Sequence, residues 1–375
     1  MTTNYLRSFV LGIIIFSCFN CKDSSESIEP EGINPIEVPT ESSIEFQKQY
    51  QTNDSIFTLN SAIQLIDSSY TIAGAVRYNG SYNKNVIMKF DKYGNRVWVK
   101  IMENTNTPHG IEKLFKTDNG YIGYRGHHYN FQNSSHIIYF NETGDVENEI
   151  FMNNDMLGND MLREGNNFLI AGRTGGMFFR MINQNGELVW EKPYDSSYPE
   201  AFSITKLTDG NFISIGGGNY TGNGDFLIKL NELGEKVWAK NHKGLSVLAI
   251  SNNEFLAIIN NGNNGNLIRF NQEGNIVWSK QLDNFSPDVN KPSPSTIINY
   301  SMEYFICTYV NQNNNLKILV LDQNGNEINL HIIDNYSGAD YRCVSKTIDD
   351  GILITYAGSI YNFGIIKLSN EFLFN

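Results

Sequence analysis

The chain has 375 residues, 41% of them hydrophobic and 13% aromatic, with 40 acidic side chains against 28 basic ones and a net charge of −12. That balance, with no run of Lys or Arg anywhere, excludes a nucleic-acid partner, because neutralising phosphates needs a basic surface. Abundant glycine, and asparagine crowded between apolar runs, suit many short strands joined by tight turns; helical periodicity of useful length is absent.

Residues 1–18 read as an export signal. Arg7 is the one charged side chain before Lys22, and Phe9–Phe16 is an apolar run broken only by Gly12. Such a run is too short to span a bilayer and right for a signal core. Cys18 follows, with Ile15 three residues before it and the small Ser17 immediately before it; bulkier Asn20 precedes Cys21. This spacing resembles the lipobox of bacterial lipoproteins, which implies lipidation at Cys18. Lys22-Asp23 followed by Ser and Glu resembles the acidic tag of some lipoproteins exported to the outer face of the outer membrane. Residues 19–41 combine Ser, Glu, Pro and Asn with few large apolar side chains, too little to offset ordering, and are expected to be a flexible tether spanning roughly 25–30 Å.

From residue 42 to 375 one figure recurs. A polar turn closes on glycine, and a short strand carries an aromatic residue four positions later: Gly94 and Trp98, Gly186 and Trp190, Gly234 and Trp238, Gly274 and Trp278. All four tryptophans sit at this register, and a lysine follows two residues on at Lys100, Lys192, Lys240 and Lys280. Gly144 and Gly325 keep the turn but place Asn148 and Asn329 in the tryptophan position. The turn glycines are 50, 42, 48, 40 and 51 residues apart, the size of a four-stranded blade. A lone blade cannot bury both sheet faces, so the units must stack around an axis.

The ends of the chain complement each other. The last unit has three strands and only Phe372–Asn375 for a fourth. Ile44–Tyr50 has no partner strands before it, and it carries Phe46 in the tryptophan place and Lys48 in the lysine place. The expected fold is therefore all-β, a seven-bladed β-propeller of four-stranded antiparallel blades, with the N-terminal strand completing the last blade and removing the open edge. The turn and tryptophan spacing resembles the repeats of quinoprotein-type propellers, in which a tryptophan docks between neighbouring blades. Those enzymes have eight blades and an adjacent cysteine pair against the quinone, whereas Cys307 and Cys343 are far apart here. No cofactor is expected.

Candidate chemistry is sparse. Asp322-Gln323-Asn324-Gly325-Asn326 partly resembles a calcium loop but lacks the distal carboxylate, and Asn-Gly or Asp-Gly is also what tight turns require. His109, His127, His128 and His136 fall in one unit without a known metal-ligand spacing, so no metal is expected. Cys307 and Cys343 could form a disulfide or remain two buried thiols. There is no nucleophile elbow, P-loop or zinc-protease motif. In a four-stranded blade the second-to-third loops and the inter-blade connections share one face, and the other two turns share the opposite one. The former are long and aromatic here and carry Tyr78, Tyr82, His127, His128, Tyr129, Phe131, Tyr220 and Tyr361. Rigid rings with adaptable polar neighbours make a recognition surface. The expectation is a lipid-anchored monomer in the cell envelope, an outer-membrane lipoprotein facing the periplasm or the cell surface. It would bind a protein or glycan ligand through this face and touch the membrane only through its N-terminal lipid. A polysaccharide-acting enzyme with a central site and an outer-membrane assembly scaffold are the alternatives.

Overall fold

A computed structural model describes residues 34–37, 44–78, 83–102, 110–129, 132–152, 157–194, 200–217, 226–250, 253–260, 265–286, 296–334, 340–357 and 361–374. It is a ring of seven four-stranded antiparallel blades. Blade one is Ser55–Gln64, Tyr70–Tyr78, Asn83–Phe90 and Arg96–Met102, and blades two to six repeat that order. Blade seven takes Asp340–Lys346, Ile352–Ala357 and Asn362–Leu368 from the C-terminal end and Ile44–Gln51 from the other.

The repeated turn has a local cause. In each of six blades an Asp or Asn accepts the amide N–H groups two and four residues on, as Asp91 Oδ1 does from Tyr93 and Asn95 at 2.9 and 2.8 Å. The fourth turn residue then needs a left-handed backbone, and Gly94, Gly144, Gly186, Gly234, Gly274 and Gly325 have φ between 70° and 82°. Glycine adopts this without strain. At Asp322 the same bonds to Asn324 and Asn326, both 2.8 Å, occupy Oδ1, and Asn326 Nδ2 occupies Oδ2 at 2.8 Å. This carboxylate closes a turn.

A β-bulge follows each glycine, placing one extra residue between, for example, Arg96 and Trp98 in their pairing with Phe90 and Lys89. The bulged residue turns outward, which explains the exposed Val97, Val189, Val237, Val277 and Ile328. The next residue turns inward, over the turn glycine of the following blade. A Cβ on Gly144 would lie 2.6 Å from the Trp98 ring, one on Gly234 2.6 Å from Trp190, one on Gly274 2.9 Å from Trp238, and one on Gly325 2.9 Å from Trp278. The glycine is thus fixed twice, by its φ and by the indole. In blade two, where Asn148 stands in the tryptophan register, Ile150 covers Gly186 instead.

Closure follows the same rule to the residue. Ile44–Gln51 pairs with Asn362–Leu368, bulges between Ile44 and Phe46, and lays Phe46 within 2.7 Å of where a Gly94 Cβ would be. Tyr50 stacks on Phe363 at 5.0 Å and meets Phe90 at 5.5 Å, and its hydroxyl donates to the Gly94 carbonyl. The buried apolar side chains form seven clusters, one at each blade interface, and the blade seven–one cluster is of the same kind as the others. Stacked sheet faces bury area at roughly 25 cal/mol per Å2, and the ring leaves no blade with an open face.

Two features depart from the sequence reading. Asn34–Glu37, inside the stretch read as tether, pairs antiparallel with Glu37↔Lys48 to Asn34↔Gln51 as a fifth strand on blade seven. Pro35 is tolerated there because an edge strand has one free side. Asn370–Phe374, read as a stub of strand, is a short helix. The outer edge of Asn362–Leu368 is already taken by Ile44–Gln51, so the chain turns back over blade six. There Asn329 Nδ2 and His331 Nε2 lie 3.5 and 3.2 Å from the Leu373 carbonyl, and the His331 ring meets Phe372 in a tilted contact at 4.3 Å.

Candidate functional site

The backbone places the described residues of the expected recognition surface at one rim. Tyr78 ends the second strand of blade one, His127, His128 and Tyr129 end that of blade two, and Tyr361 precedes the third strand of blade seven. Blades seven, one and two are consecutive, so these positions share one sector of the loop face. Tyr78 is half-buried with the Lys84 ammonium 5.5 Å from its ring centre. Tyr361 has a left-handed backbone (φ 68°), and its carbonyl accepts from the Thr52 amide at 2.8 Å and from Thr52 Oγ1 at 3.1 Å. Tyr82, Phe131 and Tyr220, and Cys18 with the rest of the signal, lie outside the described residues, as do the side chains of His127, His128 and Tyr129.

His136 belongs to a different arrangement. On the outer half of blade two its Nδ1 lies 2.6 Å from Glu149 Oε1, which also takes Arg125 Nη2 at 3.0 Å. The His136 hydrogen bond, working against burial, holds the Glu149 carboxyl below its usual range, while burial pushes the Arg125 guanidinium down to about 10. No group of three or more His, Cys, Asp or Glu side chains among the described residues is placed to hold a metal ion.

The first strands of successive blades neighbour one another and make the inner ring around the axis. In five blades this strand bulges at one register, at Asn60, Asn159, Phe202, Leu245 and Arg342. The residue after the bulge stitches blades together. Ser61 Oγ accepts from the Leu114 amide at 3.0 Å, Asp160 Oδ2 from Ile204 at 3.0 Å, Ser203 Oγ from Val247 at 3.3 Å, and the Cys343 sulfur from Ala62. Lys113 of blade two closes the gap by pairing with Asp160 Oδ1 at 3.0 Å, which also takes the Met161 amide at 2.8 Å. Cys307 and Cys343 are both free thiols, pushed up by burial to about 12 and about 11. At neutral pH neither is an activated thiolate.

Glu112, beside Lys113, differs from these. It is half-buried, Oε2 has no partner among the described residues, and the Gly126 amide donates to its carboxyl. Burial pushes this group up to about 8, with a further push from Asp160 and opposition from Lys113. Burial therefore favours the protonated form of Glu112. Asp160, by contrast, has both oxygens committed to amides and an ammonium, so it is not free to act as nucleophile or base. The sequence reading missed this inner ring. Its one visible signal was the adjacent Glu112-Lys113 pair at the start of the strand Lys113–Thr117.

Among the described residues no helix is long and apolar enough to cross a membrane. No family model and no curated protein matches the sequence. Solved structures do match in fold. A catalytically inactive virginiamycin B lyase from Staphylococcus aureus, solved with quinupristin, is 14% identical with a TM-score of 0.59, over 86% of this chain and 99% of that one. A chain of the mitotic checkpoint complex is 12% identical with a TM-score of 0.56, over 97% and 100%. Raptor from Chaetomium thermophilum is 14% identical with a TM-score of 0.54, over 86% of this chain and 30% of that one. At these identities the likeness shows the fold alone.

Proposed function

We propose that this chain is an exported, lipid-anchored binding module that takes a protein or glycan ligand on the face carrying its second-to-third strand loops. The observation that carries the reading is the gathering of Tyr78, His127, His128, Tyr129 and Tyr361 at one rim of three consecutive blades. Rings mounted on a rigid disc lose little entropy on binding. In the inner ring, Asp160 is engaged by stitching bonds and is not free for the carboxylate work a glycosidase needs. The signal-like residues 1–18 and Cys18 support the anchor.

The test is a glycan array and an envelope-extract pull-down with the wild type and with Tyr78→Ala/Tyr129→Ala/Tyr361→Ala. Ligand capture by the wild type and its loss of at least tenfold in the variant, at unchanged melting temperature, is the expected result. Equal capture by both would move the site off this face.

A further inference from the structure

The opposite face, carrying the first-to-second and third-to-fourth turns, is not uniform. In blades two, three and four the tips of the first-to-second turns are Asp118, Gly165 and Thr208. Here neighbouring turns are tied by polar bonds, Lys206 to Glu164 and Thr208 to Asn253. In blades six, seven and one the tips are Met302, Ile348 and Ile66, exposed by 95%, 59% and 97%. These three turns lie side by side. Tyr300 donates to the Asp350 carbonyl, Gln64 Oε1 accepts from the Ile348 amide at 2.7 Å, and Gln64 Nε2 donates to Asp349 at 3.1 Å. Single exposed apolar side chains are ordinary, but three on the adjoining turns of consecutive blades, Ile66 and Ile348 at one position and Met302 one residue further along its turn, form a patch.

A groove adjoins the patch. The C-terminal helix stands against the blade six turn, and Tyr300, Ser301, Tyr304, Asn370, Glu371 and Phe374 line an open space of about 330 Å3. The Phe374 ring lies 5.4 Å from Tyr300 and 5.0 Å from Tyr304. The space is shallow and open to solvent, and its lining is mostly apolar.

The rim is net negative. Asp67, Glu303, Asp349, Asp350 and Glu371 surround the tips; Asp67 pairs with Lys89, Asp350 with Lys346 and Asp349 with the buried Lys367, so the acids outnumber the lysines.

We infer that this sector is a second docking surface, for a protein segment that places an aromatic or aliphatic anchor in the Tyr300–Phe374 groove and sets Lys or Arg against the acidic rim. Apolar anchors in a pocket supply most of the affinity, and complementary rim charge supplies rate and register. The negative rim disfavours the alternative, insertion of Ile66, Met302 and Ile348 into an anionic membrane.

The test pans a phage-displayed random peptide library on the purified full-length protein, with Ile66→Ser/Met302→Ser/Ile348→Ser as the counter-selection target. Because those side chains are exposed, the variant keeps the wild-type melting temperature. Recovered peptides are expected to join an apolar anchor to Lys or Arg. Synthetic copies should bind at least tenfold more weakly to the triple variant and to Tyr304→Ala, and more weakly at high salt. Recovery of no such peptides, or equal binding to wild type and triple variant, overturns the proposal. Sedimentation of the wild type but not the triple variant with phosphatidylcholine or phosphatidylglycerol vesicles overturns it too, by assigning the patch to a membrane.

Discussion

Tyr50→Ala is expected to destabilise the whole ring by about 3–5 kcal/mol, the cost of emptying a large aromatic site in a packed core. Tyr50 is 1% exposed, sits between Phe363 of blade seven and Phe90 of blade one, and bonds its hydroxyl to the Gly94 carbonyl. It comes from the other end of the chain, on the strand paired with Asn362–Leu368, so the interface it fills is the one that converts an open stack into a closed ring. Typical stabilities of ~5–15 kcal/mol leave little to spare after such a loss. Equilibrium denaturation should show a lower midpoint, and a change below about 1 kcal/mol would mean that Ile44–Gln51 contributes little to closure.

The second large effect is a pH dependence set by Glu112. Its folded value of about 8 lies above the unfolded 4.5, so between those values the folded state holds a proton that the unfolded state has released. Stability is then fully present below pH 4.5 and falls as pH rises through 8. Each unit is worth about 1.4 kcal/mol, so the loss should be on the order of 2–4 kcal/mol. Denaturation midpoints at pH 5 and pH 8.5 measure it. Glu112→Gln should be no less stable than wild type at pH 8.5 and should flatten the slope. A wild-type curve already flat in that window would show that the carboxyl is solvated and ionised like any surface glutamate.

Much of the fold was legible because one local demand repeats. A left-handed glycine three residues after an Asx, and an indole placed to cover the next such glycine, leave a spacing visible without coordinates. The N-terminal strand was legible for the same reason, since Phe46 and Lys48 reproduce that register. What could not be read depends on neighbours distant in sequence. The Asp160 stitch joins residues 44 apart, and the bulge at Asn159 has no residue signature. The C-terminal helix was misread because Phe372–Phe374 looks like a strand, and only the prior occupancy of the edge by Ile44–Gln51 sends it over blade six. The candidate site was less legible. The loop aromatics announce a face, and the strand ends place Tyr78, Tyr129 and Tyr361 on consecutive blades, but nothing local in the sequence marks Glu112 as a carboxyl pushed up by burial.

Native-state hydrogen exchange of the Phe46 to Tyr50 amides tests closure of the ring most directly. Paired with Asn362–Leu368 as the fourth strand of blade seven, they should exchange only through global opening, with the same free energy as amides of Ile352–Ala357 in that blade's centre. Exchange of those amides at unprotected rates, with Ile352–Ala357 still protected, would contradict a ring sealed by its two chain ends.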